Sequence, residues 1–513
     1  MAMADDIPVG ILGREARTGP DPETADYLSD LHLDQLIPEL LKGREHLDLA
    51  ALFRQPLGSA ADVAFRQDVF RDLERQDLRR AVDGFQAEMA EVARERGREE
   101  ASRNPHEKAG WMLSAVRRYC DAVSAFDTAL REAAPASGGF LALAGWLFGY
   151  ASDEAFADLR REAEDLAARL AAVRYTVRID GRSVLVTPGD EGADMGAGVA
   201  ATFERFGRNT PVVPAAPETE SFQPLNHIEA AVLDGVAKGF PDLFGELADF
   251  HRRNGEFVAP VLARFSRQVE FYRAVLEAGE RLRRAGLSLT YPSVDESRSE
   301  VVLEGLYDMA LALSGSTAEG IVTNDLTLGR DESIVVVTGP NQGGKSTFAR
   351  SIGQALHLAR LGCPVAGTRA GVPLIRHLLM HFEREDEATA GEGRLAAELR
   401  RMKDALSVTD EDTALILNES FSSTSLADAR WIGERVIAAI QAKRALAVYV
   451  TFIDALANLG GGVVSMMATV DPADPAVRTF HVVRKRADGR AYAHAIARRY
   501  RVSREDLSER LRR

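Results

Sequence analysis

Residues 339–347 read GPNQGGKST, and residues 414–419 read ALILNE, two short stretches whose residue types can do phosphate chemistry together. The first fits G-x-x-x-x-G-K-[ST], preceded by the β-branched run Ile334–Gly339 and followed by the helix-like run FARSIGQALHLARL. In that setting the glycines let backbone N–H groups wrap phosphate oxygens at a helix amino terminus. Gly339, Pro340, Asn341, Gln342, Gly343, Gly344, Lys345, Ser346 and Thr347 are therefore the candidate nucleotide-binding residues. Lys345 would reach the β- and γ-phosphates and the Ser346 hydroxyl would ligate Mg²⁺, making ATP and Mg²⁺ the expected ligands. A glycine-rich turn with a chance lysine is the bland alternative, and the flanking strand and helix patterns speak against it.

The second stretch is an apolar strand ending in two polar residues. Asp-Glu is the usual pair there, the first holding Mg²⁺ and the second orienting the attacking water. Here the pair is Asn418-Glu419. An asparagine keeps an oxygen that accepts from a metal-bound water but lacks the charge. The expectation is weaker metal retention at Ser346, Asn418 and Glu419, with Lys345 and Glu419 as catalytic residues and slow ATP hydrolysis.

The stretch directly after Glu419, SFSSTSLADA (420–429), is similar to the block after that strand in the MutS family of mismatch-repair ATPases. Thr424 and Ser425 stand at the signature threonine and serine, and Asp428 at the D-loop aspartate. TGPNQGGKSTFAR resembles the MutS phosphate loop, with Gln342 where methionine is usual. NDLTL (324–328), RLGCPVAG (360–367), GEGRLAAEL (391–399, with Glu398 at the glutamate of the mobile segment) and RADGRAYAHAIA (486–497) resemble further MutS blocks in the same order. The resemblance implies composite ATP sites between two subunits, with Thr424, Ser425 and Asp428 acting on the partner's nucleotide. It implies a homodimer whose ATP-driven clamp holds mismatched or branched DNA. Two departures bear on rate: Asn418, and Thr451-Phe452 where the family has Thr-His. No Phe-x-Glu mismatch reader is found, so the expectation is a MutS-like chain without that domain.

The elements that must position these residues divide the 513 residues into two grammars. Residues 1–300 read as helical. Val63, Phe65, Val69, Phe70 and Leu73 share one side of a helix, and Leu262, Phe265, Val269, Tyr272 and Leu276 form a heptad-like stripe. A small β insertion about 173–225 opens with YTVRIDGRSVLV, a hairpin turning at Asp180-Gly181. The charge run EVARERGREE (91–100) reads as a solvated helix end or loop. Residues 301–513 read as α/β, with strands 334–339, 414–419, 445–452 and 477–484. The fold class is thus α plus α/β: by the MutS resemblance, a helical lever/core half and an ABC-type P-loop ATPase domain.

Composition fits a globular chain, 46% hydrophobic and 27% charged. With 77 acidic and 63 basic residues the net charge is −14, so no global basic field is present and any DNA contact needs a local patch. Two cysteines, Cys120 and Cys363, have no metal or disulfide spacing. The apolar run 140–150 is about half the ~20 residues that span a bilayer. A cytoplasmic location without membrane contact is expected. His381, Glu383, Glu385 and Asp386 could be taken for a metal cluster, but the spacing fits no standard pattern, and a nucleotide-responsive loop is the preferred reading. Two rivals remain: a MutS-derived protein that gates a protein complex rather than DNA, and a nucleotide-binding scaffold without turnover.

Overall fold

The unbroken β-branched runs of the carboxy-terminal half form the middle of a six-stranded sheet, because strands buried on both faces need apolar residues at every position. The computed structural model describes residues 10–13, 24–180, 183–189, 225–296, 300–315, 320–383, 393–474 and 477–487. Along the chain run α1 (Thr24–Asp30), α2 (Leu33–Leu40), α3 (Ala60–Glu74), α4 (Gln76–Ala101), α5 (Pro105–Ala133), α6 (Gly138–Ala151) and α7 (Glu154–Ala171). A hairpin of β1 (Tyr175–Asp180) and β2 (Ser183–Pro188) comes next, then α8 (His227–Gly239), α9 (Pro241–Arg253) and α10 (Pro260–Arg284). β3 (Leu289–Thr290), β4 (Ser293–Asp295), β5 (Val301–Leu306) and α11 (Met309–Ser314) lead to β6 (Asn324–Leu328) and β7 (Ile334–Thr338). The remainder is α12 (Lys345–Ala359), β8 (Val365–Ala366), β9 (Arg369–Pro373), β10 (His377–Phe382), α13 (Arg394–Val408), β11 (Thr413–Asn418), α14 (Leu426–Ala442), β12 (Leu446–Val450), β13 (Val463–Val470) and β14 (Arg478–Arg484).

The chain forms two compact units, one of Met1–Arg71, Ser137–Gly139 and Arg267–Arg513, the other of Asp72–Ala136 and Phe140–Ser266. These differ from a single cut at residue 300. The reason lies in side chains near the amino end. Gln354 of α12 donates from Nε2 to the Leu31 carbonyl at 2.9 Å, and Arg360 donates to the Tyr27 hydroxyl at 3.0 Å. A Cβ on Gly353 would sit 2.4 Å from a Leu31 methyl, so α12 needs glycine to admit that side chain.

In the first unit the sheet order is β10-β11-β12-β7-β13-β14, parallel except for β14, which runs antiparallel to β13. Every residue of β7 and β12 is buried, and in β11 only Asn418 emerges. Ile432, Val436, Ile437 and Ile440 of α14 pack with Leu415, Leu417, Ala447 and Tyr449 on one face. Truncating such a core leucine to alanine costs about 2–5 kcal/mol. The functional loops leave the carboxyl ends of β7, β11 and β12, which the parallel order brings side by side.

In the second unit α4 and α5 run antiparallel. The Phe85 and Phe126 rings stack at 4.4 Å, and Ser114 and Arg118 donate to Glu95. Asn104 caps α5 by accepting from the amides of His106 and Glu107. The charge run 91–100 forms the end of α4, as one of its two expected readings had it, but it is not solvated throughout. Glu95 and Glu99 are buried there because Arg118, Ser114, Arg96 and His251 meet their charges. The hairpin pairs Asp180 with Ser183, so Asp180 belongs to the strand and not to the turn expected at Asp180-Gly181. Among the described residues no helix is long and apolar enough to cross a membrane.

Candidate functional site

At the end of β7 the chain turns through a loop that only glycine passes freely, with Gly339 at φ 117° and Gly344 at φ 87°. Gln342, between them, also has positive φ, 58°. Gly344 is the residue before α12 and offers no side-chain cap, so the first N–H groups of that helix face the loop. Lys345 is nearly buried, and its Nζ donates to the carbonyls of Gly339 and Pro340, each at 3.1 Å, and to Asn341 Oδ1 at 3.4 Å. Burial lowers its pKa, Glu419 acts in the opposite direction, and Arg478 adds to the lowering. An ammonium held by loop oxygens beside the first N–H groups of α12 is a cradle for an anion.

The Ser346 hydroxyl donates to Asn418 Oδ1 at 2.8 Å. This contact joins the start of α12 to the end of β11, two points 72 residues apart. The paired oxygens form a hard donor set of the kind Mg²⁺ takes, with fewer charges than a carboxylate would give. Glu419 follows at φ 50°, its N–H donating to the Val450 carbonyl at 2.9 Å. The structure thus brings Gly339, Lys345, Ser346, Asn418 and Glu419 together at the carboxyl ends of the interior strands β7 and β11.

Thr424, Ser425 and Asp428 form a cluster of their own at the start of α14. Ser425 caps the helix, donating to Asp428 Oδ2 at 2.7 Å while its Oγ accepts from the Asp428 amide at 3.2 Å. Thr424 lies 3.5 Å from the same carboxylate. Ser425 and Asp428 are exposed. Phe452, just beyond β12, is 48% exposed, so the aromatic ring in the place of the expected histidine is open to a ligand or partner.

Three features escape sequence reasoning. A cavity of about 320 Å³ beside the glycine loop is lined by Ile321, Val322, Gln342, Thr347 and Phe480, among others. Phe480 has φ 59°, and Asn324 pins its strand by donating to the Phe480 carbonyl (3.3 Å) and accepting from the Val482 amide (2.7 Å). Arg478 donates to the Asn341 carbonyl at 3.1 Å, bringing a second cation to the loop. With 137 positions between Arg478 and Asn341, neither carries a local signal of the other. The asparagine that opens the alternating strand NDLTL is the one visible hint of an anchor.

The four-residue metal idea finds no footing among the described residues. His381 is buried and engaged by Ser420 and Glu398, and Glu385 and Asp386 lie outside the described residues. Also outside them are Gly391 and Glu392 of GEGRLAAEL and residues 488–497 of the late hairpin block.

The family model described as MutS domain V matches residues 335–507. The DNA mismatch repair protein MutS of Paracoccus denitrificans is 30% identical over 213 residues, 40% of this chain and 24% of that protein. That of Caldanaerobacter subterraneus is 27% identical over 205 residues, 39% and 23% of the two chains. The DNA mismatch repair protein MutS 2 of Halobacterium salinarum is 25% identical over 243 residues, 44% and 28%. The matched stretches span about a quarter of the length of these relatives, 23–28%. Residues 335–507 thus belong with domain V of the MutS family.

Proposed function

We propose that this protein binds and slowly hydrolyses ATP at the site built from Lys345, Ser346, Asn418 and Glu419, as the motor of a MutS-like homodimer acting on DNA. The observation that carries the reading is the Ser346–Asn418 hydrogen bond at 2.8 Å, which sets a metal-binding hydroxyl against the strand end that bears Glu419. In this reading residues 301–513 hold an ABC-type P-loop ATPase, and the helices before it are its lever and core.

The loop N–H groups, of which Pro340 has none, bind the phosphates, and Lys345 exchanges its carbonyl partners for β- and γ-oxygens. Ser346 and Asn418 are the residues that would hold Mg²⁺, which when bound neutralises charge on those oxygens. Glu419 orients the attacking water and accepts its proton as the water oxygen bonds to the γ-phosphorus and the bond to the ADP oxygen breaks. Asn418 brings less charge to this step than aspartate, and Phe452 brings no imidazole. The ATP-bound state is therefore long-lived. Thr424, Ser425 and Asp428 act on the nucleotide of the second subunit. The DNA ligand is a mismatched or branched duplex, held by encirclement.

A second reading, a nucleotide-gated protein scaffold, is favoured by one observation in the helical unit. Arg118, Arg160, Arg169 and Arg253 are each ion-paired to carboxylates of the same unit, so their charge is already met before any phosphate arrives. Steady-state ATP hydrolysis with Mg²⁺, for the wild type and Glu419→Ala, separates the readings. It is measured alone and with linear, mismatched and four-way-junction DNA. Turnover lost in Glu419→Ala and altered by one DNA shape supports the motor; wild-type turnover no higher than the variant's overturns it.

A further inference from the structure

Residues 419–421 leave β11 in a turn their side chains disfavour. Glu419 has φ 50° and Phe421 φ 65°, two left-handed residues that are not glycine, on either side of Ser420. Such a conformation persists only where its surroundings over-determine it. The Glu419 amide is tied to Val450, but that bond does not reach Ser420 or Phe421.

A buried imidazole holds Ser420. His381 Nδ1 lies 2.7 Å from Ser420 Oγ, and that hydroxyl is also 3.2 Å from the His381 carbonyl. The other ring nitrogen, Nε2, lies 3.1 Å from the main-chain oxygen of Glu398. A carbonyl only accepts, so Nε2 carries a proton; the single proton of the Ser420 hydroxyl is shared between the His381 carbonyl and, in the neutral ring, Nδ1, the shorter of the two contacts. The same ring is 5.6 Å from the ring of buried Phe421. One side chain thus joins the end of β10, the body of α13 and the turn bearing Glu419.

Glu398 is a responsive neighbour rather than an inert one. Its carboxyl is buried, Oε1 has no hydrogen-bond partner, and Arg394 is 3.7 Å away. Burial pushes its pKa upward, while Arg394 and a hydrogen bond from the Phe421 amide pull it down. α13 therefore carries an incompletely satisfied group next to the contact it makes with His381.

We propose that His381 is a positioning residue for Glu419: through Ser420 it holds the 419–421 turn, and through the Glu398 carbonyl it makes that turn answer to the position of α13. This rests on the reading of Glu419 as the residue facing the attacking water. Movement of α13 removes the acceptor from Nε2, frees the imidazole to turn, and releases Ser420, so that the Glu419 carboxylate swings off its line. Hydrolysis is in this way gated by the position of α13.

The test compares the full-length wild type with His381→Phe, which keeps a ring against Phe421 but loses both nitrogens, with Ser420→Ala, and with the double variant. Two readouts are taken: kcat and KM for ATP with Mg²⁺, and amide hydrogen exchange of 394–408 with and without ATP. The expected result is a fall in kcat of about tenfold in each single variant with KM little changed, and a double variant no slower than the singles. The ATP-dependent change in exchange of 394–408 is lost in all three. Unchanged kcat with an intact exchange response overturns the proposal, as does a wild type whose 394–408 exchange ignores ATP. If the wild type shows no turnover but its exchange responds to ATP through His381 and Ser420, the hydrolysis reading falls and the coupling stands. If the wild type turns over ATP and the variants match it in both readouts, the coupling falls and the hydrolysis reading stands.

Discussion

The Ser346 hydroxyl donates to the side-chain oxygen of Asn418 across 2.8 Å, tying the start of α12 to the end of β11. An amide oxygen also accepts this bond, though less strongly than a carboxylate, so the geometry survives where the charge does not. Asn418→Asp should therefore add charge to a site already shaped for it. The Mg²⁺ concentration giving half-maximal ATP turnover is expected to fall about tenfold, the effect of one more formal charge in a hard-cation site. An unchanged Mg²⁺ requirement in a titration of turnover would remove Asn418 from the metal site.

Lys345 makes a separate prediction for binding. Burial lowers its pKa, so the folded chain holds this proton less tightly than the unfolded chain does, and the charged amine is a cost at neutral pH. That cost is present below the folded pKa and fades as pH rises through it. Lys345→Met should leave the ligand-free melting temperature at pH 7 no lower than that of the wild type. It should also abolish the rise produced by ATP, which at a hundredfold excess over Kd corresponds to about 2.7 kcal/mol in the wild type. An ATP-dependent shift that persists in the variant, read by calorimetry, contradicts the cradle.

Phe480 is held toward the cavity beside the glycine loop by the two hydrogen bonds of Asn324. If the nucleotide base enters that cavity, an aromatic contact of about 1–2 kcal/mol is lost in Phe480→Ala, a roughly 5- to 30-fold weaker Kd for ATP. Tripolyphosphate, which has no base, should bind both forms alike. Equal losses for the two ligands in isothermal titration would place the base elsewhere.

Glu398 predicts a pH dependence. Its folded pKa is raised by burial, so the stability it contributes is present below the unfolded glutamate value, about 4.3, and is lost as pH rises through the folded value. Glu398→Gln keeps the main-chain oxygen that meets His381 and removes the titration. The melting temperature of the variant, relative to wild type, should climb with pH across the range above the unfolded glutamate value. A constant difference across that range would mean that the carboxyl is not desolvated in solution.

The parts of the site that are legible in the sequence are those written locally. The glycine loop, the strand before it and the helix after it are contiguous, and Asn418-Glu419 ends an apolar run whose burial on both faces needs no partner to be recognised. The observed β7, β11, β12 and β14 lie within a residue or two of their expected bounds. The hidden parts depend on pairs far apart in the chain. Nothing near His381 indicates that it meets Ser420, and nothing near Phe480 indicates that Asn324 fixes it. The run 91–100 looks solvated because it is charged, whereas Glu95 and Glu99 are buried against cations and donors from α4, α5 and α9. Nor does any local pattern show that Leu31, just before α2, packs against Gly353 of α12.

That last contact sets an order of events in biosynthesis. Gln354 and Leu31 are 323 residues apart, and a ribosome adding about 5–20 residues per second needs roughly 16–65 s to make the second after the first. Until then Leu33, Leu36, Ile37 and Leu40 of α2 lack the complete carboxy-terminal half to pack on, while Asp72–Ala136 and Phe140–Ser266 are finished on the nascent chain before Gln354 is made. The helical unit can mature during translation; the sheet-bearing unit cannot close until its own first helices, waiting exposed, are met by the last third of the protein. A circular permutant that places residues 24–71 after the present carboxyl end would abolish that wait, and its yield without chaperones measures how much the wait matters.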